Sequence, residues 1–264
     1  MCEPRGSGGL VWGLALICLL PRPTCAEGAA AAPPAEALLR AADASRHVLD
    51  EGLIRIGATV EREGEVTRTS LDVYVRAPDH ALCVFRDGSL AGRMILTAAE
   101  RVWLFVPGTT HPIRISPNQR LFGGASVADV ARLRFAEEFT AVLLEDRQVV
   151  EGIPCHTLAL EGRTPRAAYA SGTLWLGVDD GLPRRAVLAL PSGKPAKDLR
   201  FTSYEEERGR TVLRRVEIHH LLPAESGMLT TLEFHSYEAE SLPQELFDPK
   251  HVRSVLAEIA PGRR

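Results

Sequence analysis

Four polar side chains near the C-terminal end of the chain are of types that could bind a metal ion. The segments Thr211–Leu222 and Leu229–Ala239 alternate between apolar and polar residues and predict a β-hairpin. Its polar face carries Glu217, His219, Glu233 and His235. A zinc site needs ligands that converge on one point, and the face of a hairpin is flat. We therefore interpret the set as an outward-facing ladder of cross-strand charge pairs, with a metal site as the alternative.

Motifs for other catalytic chemistry are missing from the sequence. It contains no G-x-S-x-G, G-x-G-x-x-G, Walker or H-E-x-x-H motif and no EF-hand spacing. Ser126, in the run GGASVAD, has the spacing of a helix N-cap, with Asp129 three residues later. We expect a protein that is not an enzyme and needs no cofactor. A secreted metal-dependent enzyme using His219 and His235 is the remaining catalytic alternative.

The N-terminal residues have the composition of an export signal. Arg5 precedes an apolar run from Gly9 to Leu20, and Thr24-Cys25-Ala26 fits a small-x-small cleavage site. The apolar run is shorter than the roughly 20 residues that span a bilayer. We predict a signal peptide over residues 1–26, a disordered lead over 27–34 and a single domain over 35–260 in an exported protein.

Three of the five cysteines, Cys2, Cys18 and Cys25, lie in the predicted signal peptide. Lipid attachment at Cys25 is not expected, because Arg-Pro-Thr precedes it where such sites carry an aliphatic residue and then small ones. Cys83 and Cys155 both lie in apolar strand patterns, so a disulfide bond and two buried free thiols are both open.

The charge balance argues against polyanionic partners. The chain carries 31 basic and 34 acidic residues, a formal net charge of −3. A mildly acidic surface of mixed sign offers no basic patch for nucleic acid or for an anionic membrane. We expect no nucleic-acid partner.

Most of the chain predicts one large β-sheet. Ala35–Leu49 has apolar residues at helical spacing and predicts an N-terminal helix. The segments that follow alternate and are joined by short turns, most of which carry glycine, so neighbouring strands pair in antiparallel fashion. A sheet of about eleven strands curls. The predicted fold is α+β and mainly β: a curved antiparallel sheet that forms an incomplete half-barrel.

Three of the predicted strands are apolar on both faces: Ala81–Phe85, Arg93–Leu96 and Val102–Val106. One face of an antiparallel sheet is ordinarily solvated. Two apolar faces therefore need two covers, a packed core on one side and either a helix or a ligand on the other. In the first case the helices that begin near Ala35 and Ser126 fill the space; in the second an apolar cavity remains.

The segment His111–Phe139 interrupts the alternation. Ser116, Pro117 and Gln119 predict the start of a short helix that ends at Phe122, and Ser126 predicts the start of a second. Gly123-Gly124 lies between them and suits a hinge. Two hinged helices inserted between strands are suited to form a movable lid, and the alternative is that they only plug the end of the sheet.

Four stretches resemble a bacterial family in order and spacing: PIRISPNQRLFGGASVADVAR, GIPCHTLAL, LWLGVDDGLPRRA and LPQELFDPKHV. The family is that of the outer-membrane lipoprotein-sorting proteins, related to the LolA, LolB and LppX carriers, and the resemblance covers roughly residues 35–252. It implies a curved, incomplete barrel under a helical lid that holds acyl chains. It also implies an inner-membrane partner, either an RND-type transporter or a lipoprotein-releasing complex. No local motif places the lid-latching arginine of that family, for which Arg114 and Arg120 are the candidates.

Residues and resemblance together predict a monomeric periplasmic carrier that binds acyl chains of lipids or lipoproteins and shuttles them toward the outer membrane. An accessory protein of an RND-type exporter, acting by protein contact and carrying nothing, is the alternative. The expected cavity and lid residues are Phe85, Met94, Trp103, Phe105, Leu121, Phe122, Val127, Val130, Phe135, Phe139 and Trp175, with Gly123 and Gly124 as the hinge.

Overall fold

Alternating sequence patterns become long antiparallel strands in the computed structural model of the protein, which describes residues 34–99, 101–116, 120–126, 129, 133–164, 167 and 169–260. The described residues belong to one unit, Pro33–Arg264. Its helices are α1 (Ala35–Ala44), α2 (Phe135–Glu138) and α3 (Val252–Ile259), and 3₁₀ helices span Gly88–Leu90, Pro223–Glu225 and Gln244–Phe247.

The strands fall into two groups along the chain. The first group is β1 (Glu51–Arg62), β2 (Glu65–Arg76), β3 (His80–Phe85), β4 (Met94–Ala98), β5 (Arg101–Phe105), β6 (Ile113–Ile115), β7 (Arg120–Phe122) and β8 (Ala125–Ser126). The second is β9 (Phe139–Leu143), β10 (Gln148–Val150), β11 (Ile153–Gly162), β12 (Ser171–Gly177), β13 (Pro183–Ala189), β14 (Pro195–Glu207), β15 (Arg210–His220) and β16 (Leu229–Ala239).

Fourteen of these strands form one antiparallel sheet. Its order is β10-β11-β12-β13-β14-β15-β16-β1-β2-β3-β4-β5-β6, and β9 pairs with β11. Within β1–β6 and within β10–β16, strands that follow each other in the chain pair as hairpins, and β1 and β16 join the two groups, with Ala58 opposite Leu232. The end strands β10 and β6 do not pair with each other, so the sheet is open. The predicted fold class is confirmed, with fourteen strands where about eleven were expected.

One face of the sheet, here called the inner face, packs against α1. Inward-facing residues of β1, among them Ile56, Ala58 and Val60, share a core with Leu39 and Ala42 of the helix. The amphipathic pattern predicted for the N-terminal helix is confirmed by the burial of its apolar side chains, although the helix ends at Ala44 rather than Leu49.

The opposite, outer face has two different halves. Over β1–β5 it carries a second apolar core, in which Leu53, Leu82 and Leu96 pack against Leu246 and Val252. The 3₁₀ helix Gln244–Phe247 and α3 therefore supply the second cover that the doubly apolar strands need. Over β14–β16 the outer face carries polar cross-strand pairs, such as Asp198 with His219 and Arg215 with Glu233.

The inserted segment differs from its prediction. Residues 120–122 and 125–126 form the two-stranded β7–β8 hairpin, and Gly123-Gly124 is its turn, not the junction of two helices. The expected helix Ser116–Phe122 is wrong where residues 120–122 are described, because the diglycine that can end a helix can equally turn a hairpin. Residues 117–119, and most of the second predicted helix, lie outside the described residues. In the described residues that begin at Leu133, α2 is a single turn of helix.

Candidate functional site

A cover lies over the inner face of the sheet. It consists of the β7–β8 hairpin, residue 129 and residues 133–138, which include α2. Its apolar side chains are almost fully buried in the inner-face core, together with the first residue of β9: Phe122, Ala125, Leu133, Phe135 and Phe139, each between 0 and 7% exposed. The cover therefore closes an apolar surface that the sheet and α1 would otherwise present to water.

Asp43, near the end of α1, holds the cover at the start of α2. Its two carboxylate oxygens accept the backbone N–H groups of Phe135 and Ala136, each at 2.9 Å. The side chain of the N-cap residue Arg134 does not cap the backbone N–H groups of α2, so Asp43 does the capping from another element. Burial raises the pKa of Asp43, and the hydrogen bonds from the cover oppose that rise.

Two basic residues after α1 hold the cover at Leu133. The guanidinium of Arg46 donates to the Leu133 carbonyl oxygen at 2.8 Å and lies over the rings of Phe135 and Phe201. The Nε2 atom of His47 lies 3.2 Å from the same oxygen. Burial, followed by the positive charge of Arg46, lowers the pKa of His47 to about 3. His47 is therefore neutral at pH 7 and can donate its Nε2–H to the cover.

Lys197 on β14 holds the turn of the β7–β8 hairpin. Its ammonium group donates to the carbonyl oxygen of Gly124 and lies 2.7 Å from Nδ1 of His220 on β15. The other imidazole nitrogen, Nε2, lies 2.9 Å from the Thr230 hydroxyl. A Cβ atom at Gly124 would stand 2.3 Å from His220 Nδ1, so a glycine is required for the turn to approach this closely.

Asp129 brings a carboxylate of the cover to the same place. The Tyr169 hydroxyl donates to its Oδ1 atom at 2.6 Å, and the Ser126 N–H donates to Oδ2 at 2.8 Å. The Asp129 N–H donates in return to the Ser126 hydroxyl at 3.3 Å, which is the reciprocal pattern that the sequence spacing predicted. Oδ2 lies 3.7 Å from the Lys197 ammonium.

Glu225, in the 3₁₀ helix before β16, completes a group that we call the buried charge cluster: Lys197, His220, Glu225 and Asp129. The Glu225 carboxylate lies 3.8 Å from the Lys197 ammonium and 3.4 Å from His220 Nδ1. All four residues are at most 5% exposed. Because charges taken out of water are costly unless paired, each partner depends on the others.

The structure divides the predicted cavity residues between the two faces. On the inner face are Phe85, Phe122, Phe135 and Phe139. In or against the outer core are Met94, Phe105 and Trp103. The side chain of Leu121 and residues Val127 and Val130 lie outside the described residues. The expected grouping is thus corrected: strands such as VWLFV bury alternate side chains on opposite faces, and the apolar pattern alone does not say which face is which.

Trp175 lies apart from both cores. Its indole N–H donates to Gln148 at 2.9 Å, and the guanidinium of Arg185 lies over its ring. Its strand neighbours Leu174 and Leu176 belong to the inner core, so Trp175 faces outward. It is not part of the covered surface.

Comparison with known proteins places the chain in a family. The family model that matches it, over residues 78–254, carries the description "Uncharacterized protein". The chain belongs to this family. Among curated proteins, none matches it.

Solved structures with the same fold identify the architecture as LolA-like. A LolA superfamily protein from Nitrosomonas europaea superposes with a TM-score of 0.74 at 22% identity, over 82% of this chain and 98% of that one. A DUF1329 family protein from Desulfovibrio piger superposes with a TM-score of 0.69 at 20% identity, over 82% of this chain and 98% of that one. A putative outer membrane lipoprotein-sorting protein domain from Vibrio parahaemolyticus superposes with a TM-score of 0.68 at 15% identity, over 81% of this chain and 96% of that one. The resemblance seen in the sequence is confirmed at the level of the fold.

The predicted hinge of this LolA-like chain is a packed turn. Gly123 has a positive φ of 56°, and a Cβ atom there would stand 2.5 Å from a methyl group of Val60. Gly124 rests against His220 in the same way. The two glycines bring the cover close to the sheet, and any opening has to separate them from Val60 and His220.

Three of the four polar residues on the predicted hairpin face, Glu217, His219 and Glu233, form charge pairs on the outer face. Arg215 lies 3.2 Å from Glu217 on its own strand and 3.4 Å from Glu233 on the next, and His219 lies 3.8 Å from Glu217. These pairs agree with the ladder interpretation for Glu217, His219 and Glu233, and the pair from Arg215 to Glu233 crosses between strands. Within the described part of the chain, no group of three or more His, Cys, Asp or Glu residues is arranged to hold a metal ion.

The two strand cysteines are free and buried, which settles the question that the sequence left open. Burial raises the pKa of Cys83 to about 12, so the residue is an unreactive thiol that fills the core. In the described residues, no helix is both long and apolar enough to cross a membrane.

The residues that anchor the cover were not found in the sequence, although a signal was present. Lys197 precedes Leu199 and Phe201 at inward-facing positions of β14, and His220 follows Ile218 on β15. A charged residue in the inward register of a strand must find partners. Lysine is also rare in this chain, which made Lys197 conspicuous.

Proposed function

We propose that the protein is a periplasmic carrier that binds the acyl chains of a lipid or lipoprotein against the inner face of its sheet, beneath the cover. The observation that carries the proposal is the cover itself: an apolar layer closed over an apolar face, yet fastened by a few discrete polar contacts. The LolA-like fold supports a binding role, and the lipoprotein-sorting description of the Vibrio parahaemolyticus domain supports this class of ligand.

The inner face suits acyl chains because its lining is apolar and its cover is locally fastened. Each CH₂ group moved from water to such a surface contributes about 0.8 kcal/mol. An incoming chain replaces the contacts that Phe122, Leu133 and Phe135 make with the sheet. Their loss offsets part of the binding energy, and the cost of opening the cover lowers the apparent affinity. A carrier that must also release its ligand gains from that offset.

Native mass spectrometry with lipid extraction tests the proposal on protein purified from a bacterial periplasm. We expect a co-purifying species with acyl chains, retained by the wild type and lost from F122D and L133D. The matched control is V142D, which places the same charge at a side chain that is 66% exposed. A wild-type protein that stays free of lipid after incubation with phospholipid and with acylated peptide would refute the carrier.

The second candidate is an accessory protein of an RND-type exporter that acts by protein contact. Its support is a concentration of exposed apolar side chains around β9, β10 and β11: Val142, Leu144, Val149 and Ile153. These lie at one end of the sheet, where strands can add to an edge. If V142D abolished function in cells while F122D and L133D left it intact, this candidate would replace the carrier.

Under the carrier proposal, the protein is a monomer that shuttles its cargo toward the outer membrane. An RND-type transporter or a lipoprotein-releasing complex of the inner membrane would supply the cargo. Crosslinking at the β9–β11 end in intact cells identifies such a donor, with an equivalent crosslinker at the outer-face position Arg215 as the control.

A further inference from the structure

A cleft of about 710 Å³ opens on the outer face, on the opposite side of the sheet from the cover. Strands β2–β5 form one wall, and the 3₁₀ helix Gln244–Phe247 with the residues that follow it forms the other. Its volume falls in the range of sites for small molecules. The cleft plays no part in the proposed acyl-binding function.

A row of side chains crosses the strand wall. Arg76 stands opposite His80, His80 opposite Ala98, and Ala98 opposite Arg101, on four adjacent strands. Residues paired in this way share a face of the sheet. Because Ala98 has only a methyl group, the row has a gap between its basic members. Trp103, two residues after Arg101, lines the same wall.

Most ionisable side chains of the cleft are already paired with a neighbour. The pairs are Arg76 with Glu51 at 2.7 Å, His80 with Asp79 at 2.8 Å, and Asp248 with His251 at 3.2 Å. Arg76 is also held over the ring of Phe247, and His80 meets that ring edge-on. These contacts fix the floor of the cleft.

Two opposite charges remain. Arg101 on the strand wall and Glu245 on the helical wall line the cleft, and neither makes an ion pair or side-chain hydrogen bond with the described residues. The indole of Trp103 lines the strand wall with Arg101, and the ring of Phe247 lines the helical wall with Glu245. The cleft thus offers a cation and an aromatic ring on one wall, and an anion and an aromatic ring on the other.

We propose that this cleft binds a small zwitterion, with its phosphate or carboxylate group at Arg101 and its ammonium group at Glu245. Charge-assisted hydrogen bonds form at both ends, and the face of Trp103 attracts the ammonium group. A ligand with a charge at one end only would leave the other wall unpaired. The same chemistry occurs in the head group of an aminophospholipid and in a free amino acid.

Nuclear magnetic resonance titration of the purified protein tests the site. The probes are O-phosphoethanolamine, which is a soluble lipid head group, and β-alanine, which is a free amino acid. The readout is the indole N–H signal of Trp103. Trp175 serves as an internal reference, because it lies on the outer face at β12 and its N–H is bonded to Gln148. We expect the Trp103 signal to shift with ligand and the Trp175 signal to stay.

Variants separate the two ends of the ligand. R101Q and E245Q should each weaken binding about tenfold or more, as expected for the loss of one charge-assisted hydrogen bond. The controls R68Q and E65Q remove exposed charges of β2 and should leave the affinity unchanged. Inorganic phosphate should bind more weakly than O-phosphoethanolamine and depend on Arg101 alone.

Both probes can support the site and identify its anion. If O-phosphoethanolamine binds more tightly, the ligand of the cleft is the head group of an aminophospholipid. If β-alanine binds more tightly, the ligand is a free amino acid. A Trp103 signal that neither probe moves overturns the proposal, as does equal affinity in wild type, R101Q and E245Q. If inorganic phosphate binds as tightly as O-phosphoethanolamine, and E245Q does not change its affinity, the proposal of a zwitterionic ligand is overturned.

Discussion

The two faces of one sheet are covered in different ways. Over β1–β5 the outer face is closed by consecutive C-terminal elements through an apolar core of Leu242, Leu246, Phe247 and Val252. The inner face is closed by an insertion between β6 and β9. Its apolar side chains are also buried, but its main chain is held by Asp43, Arg46, His47 and Lys197.

The contrast shows that burial alone does not distinguish a permanent layer from a removable one. Apolar contacts are non-directional, so an apolar side chain that shifts can be covered again by any apolar neighbour. A buried ion pair or hydrogen bond is lost within a short displacement, and the groups left behind must find water or new partners. We therefore expect the inner cover to open as a unit once its polar contacts break, and the outer layer to behave as ordinary core.

The largest effect is expected at the buried charge cluster. K197M removes the cation that lies within 4 Å of both Asp129 and Glu225. Stranding buried carboxylates should lower the free energy of unfolding by about 4 kcal/mol. Urea denaturation measures the loss, and hydrogen exchange at the hairpin amides measures opening of the cover.

K194M is the matched control, since Lys194 is exposed in the turn before β14. It should behave as the wild type. If K197M kept full stability and full protection of the hairpin, the cluster would have no part in fastening the cover.

The outer layer should lose stability without opening the inner cover. L246A creates a cavity at a side chain that is 0% exposed, and the cost should be about 3 kcal/mol. Lipid uptake and hydrogen exchange at the amides of Phe135 and Ala136 should stay unchanged under native conditions. Faster exchange at those two amides in L246A would show that the outer layer and the inner cover are coupled and do not open independently.

Loss of the cap on α2 should loosen the cover with a smaller cost to the whole molecule. D43A removes the acceptor of two N–H groups, and the expected loss of stability is about 1 kcal/mol. Exchange at Phe135 and Ala136 should become faster than in the wild type. D50A, at an exposed position just before β1, is the control. Unchanged exchange in D43A would remove Asp43 from the anchors.

The smallest effect is a dependence on pH. The pKa of His47 is about 3 in the folded protein and about 6.5 when unfolded. As pH falls below 6.5, the unfolded chain takes up a proton that the folded one does not, so stability is full above 6.5 and declines toward pH 3. His47 keeps 22% of its side chain exposed, so we expect no more than about 1 kcal/mol between pH 7.5 and 5.5.

H47Q isolates the contribution of His47 to the pH dependence of stability. A separate variant is needed because Asp43, whose pKa is raised by burial, changes stability with pH in the opposite direction. Urea midpoints at the two pH values should differ less in H47Q than in the wild type. H111Q, which removes an exposed imidazole, should keep the wild-type difference. An identical pH dependence in H47Q would show that His47 is protonated without cost in the closed cover.

Much of this protein was determined by the sequence itself. Alternation and glycine turns specify antiparallel hairpins because both act between neighbouring segments of the chain. The N-terminal helix, the polar ladder of Glu217 and Glu233, and the Ser126–Asp129 reciprocal cap are local in the same sense. The stretches quoted from Pro112 onward also carried the resemblance to a family with this fold.

Only the tertiary structure decided which face each apolar residue occupies and what fastens the cover. Met94 and Phe85 have the same character in the sequence, yet they face opposite sides of the sheet, because the helices that cover each face come from distant parts of the chain. Asp43 and Phe135 are separated by 92 positions, and Lys197 and Gly124 by 73. Contacts at such separations depend on the path of the whole sheet, which no local pattern encodes.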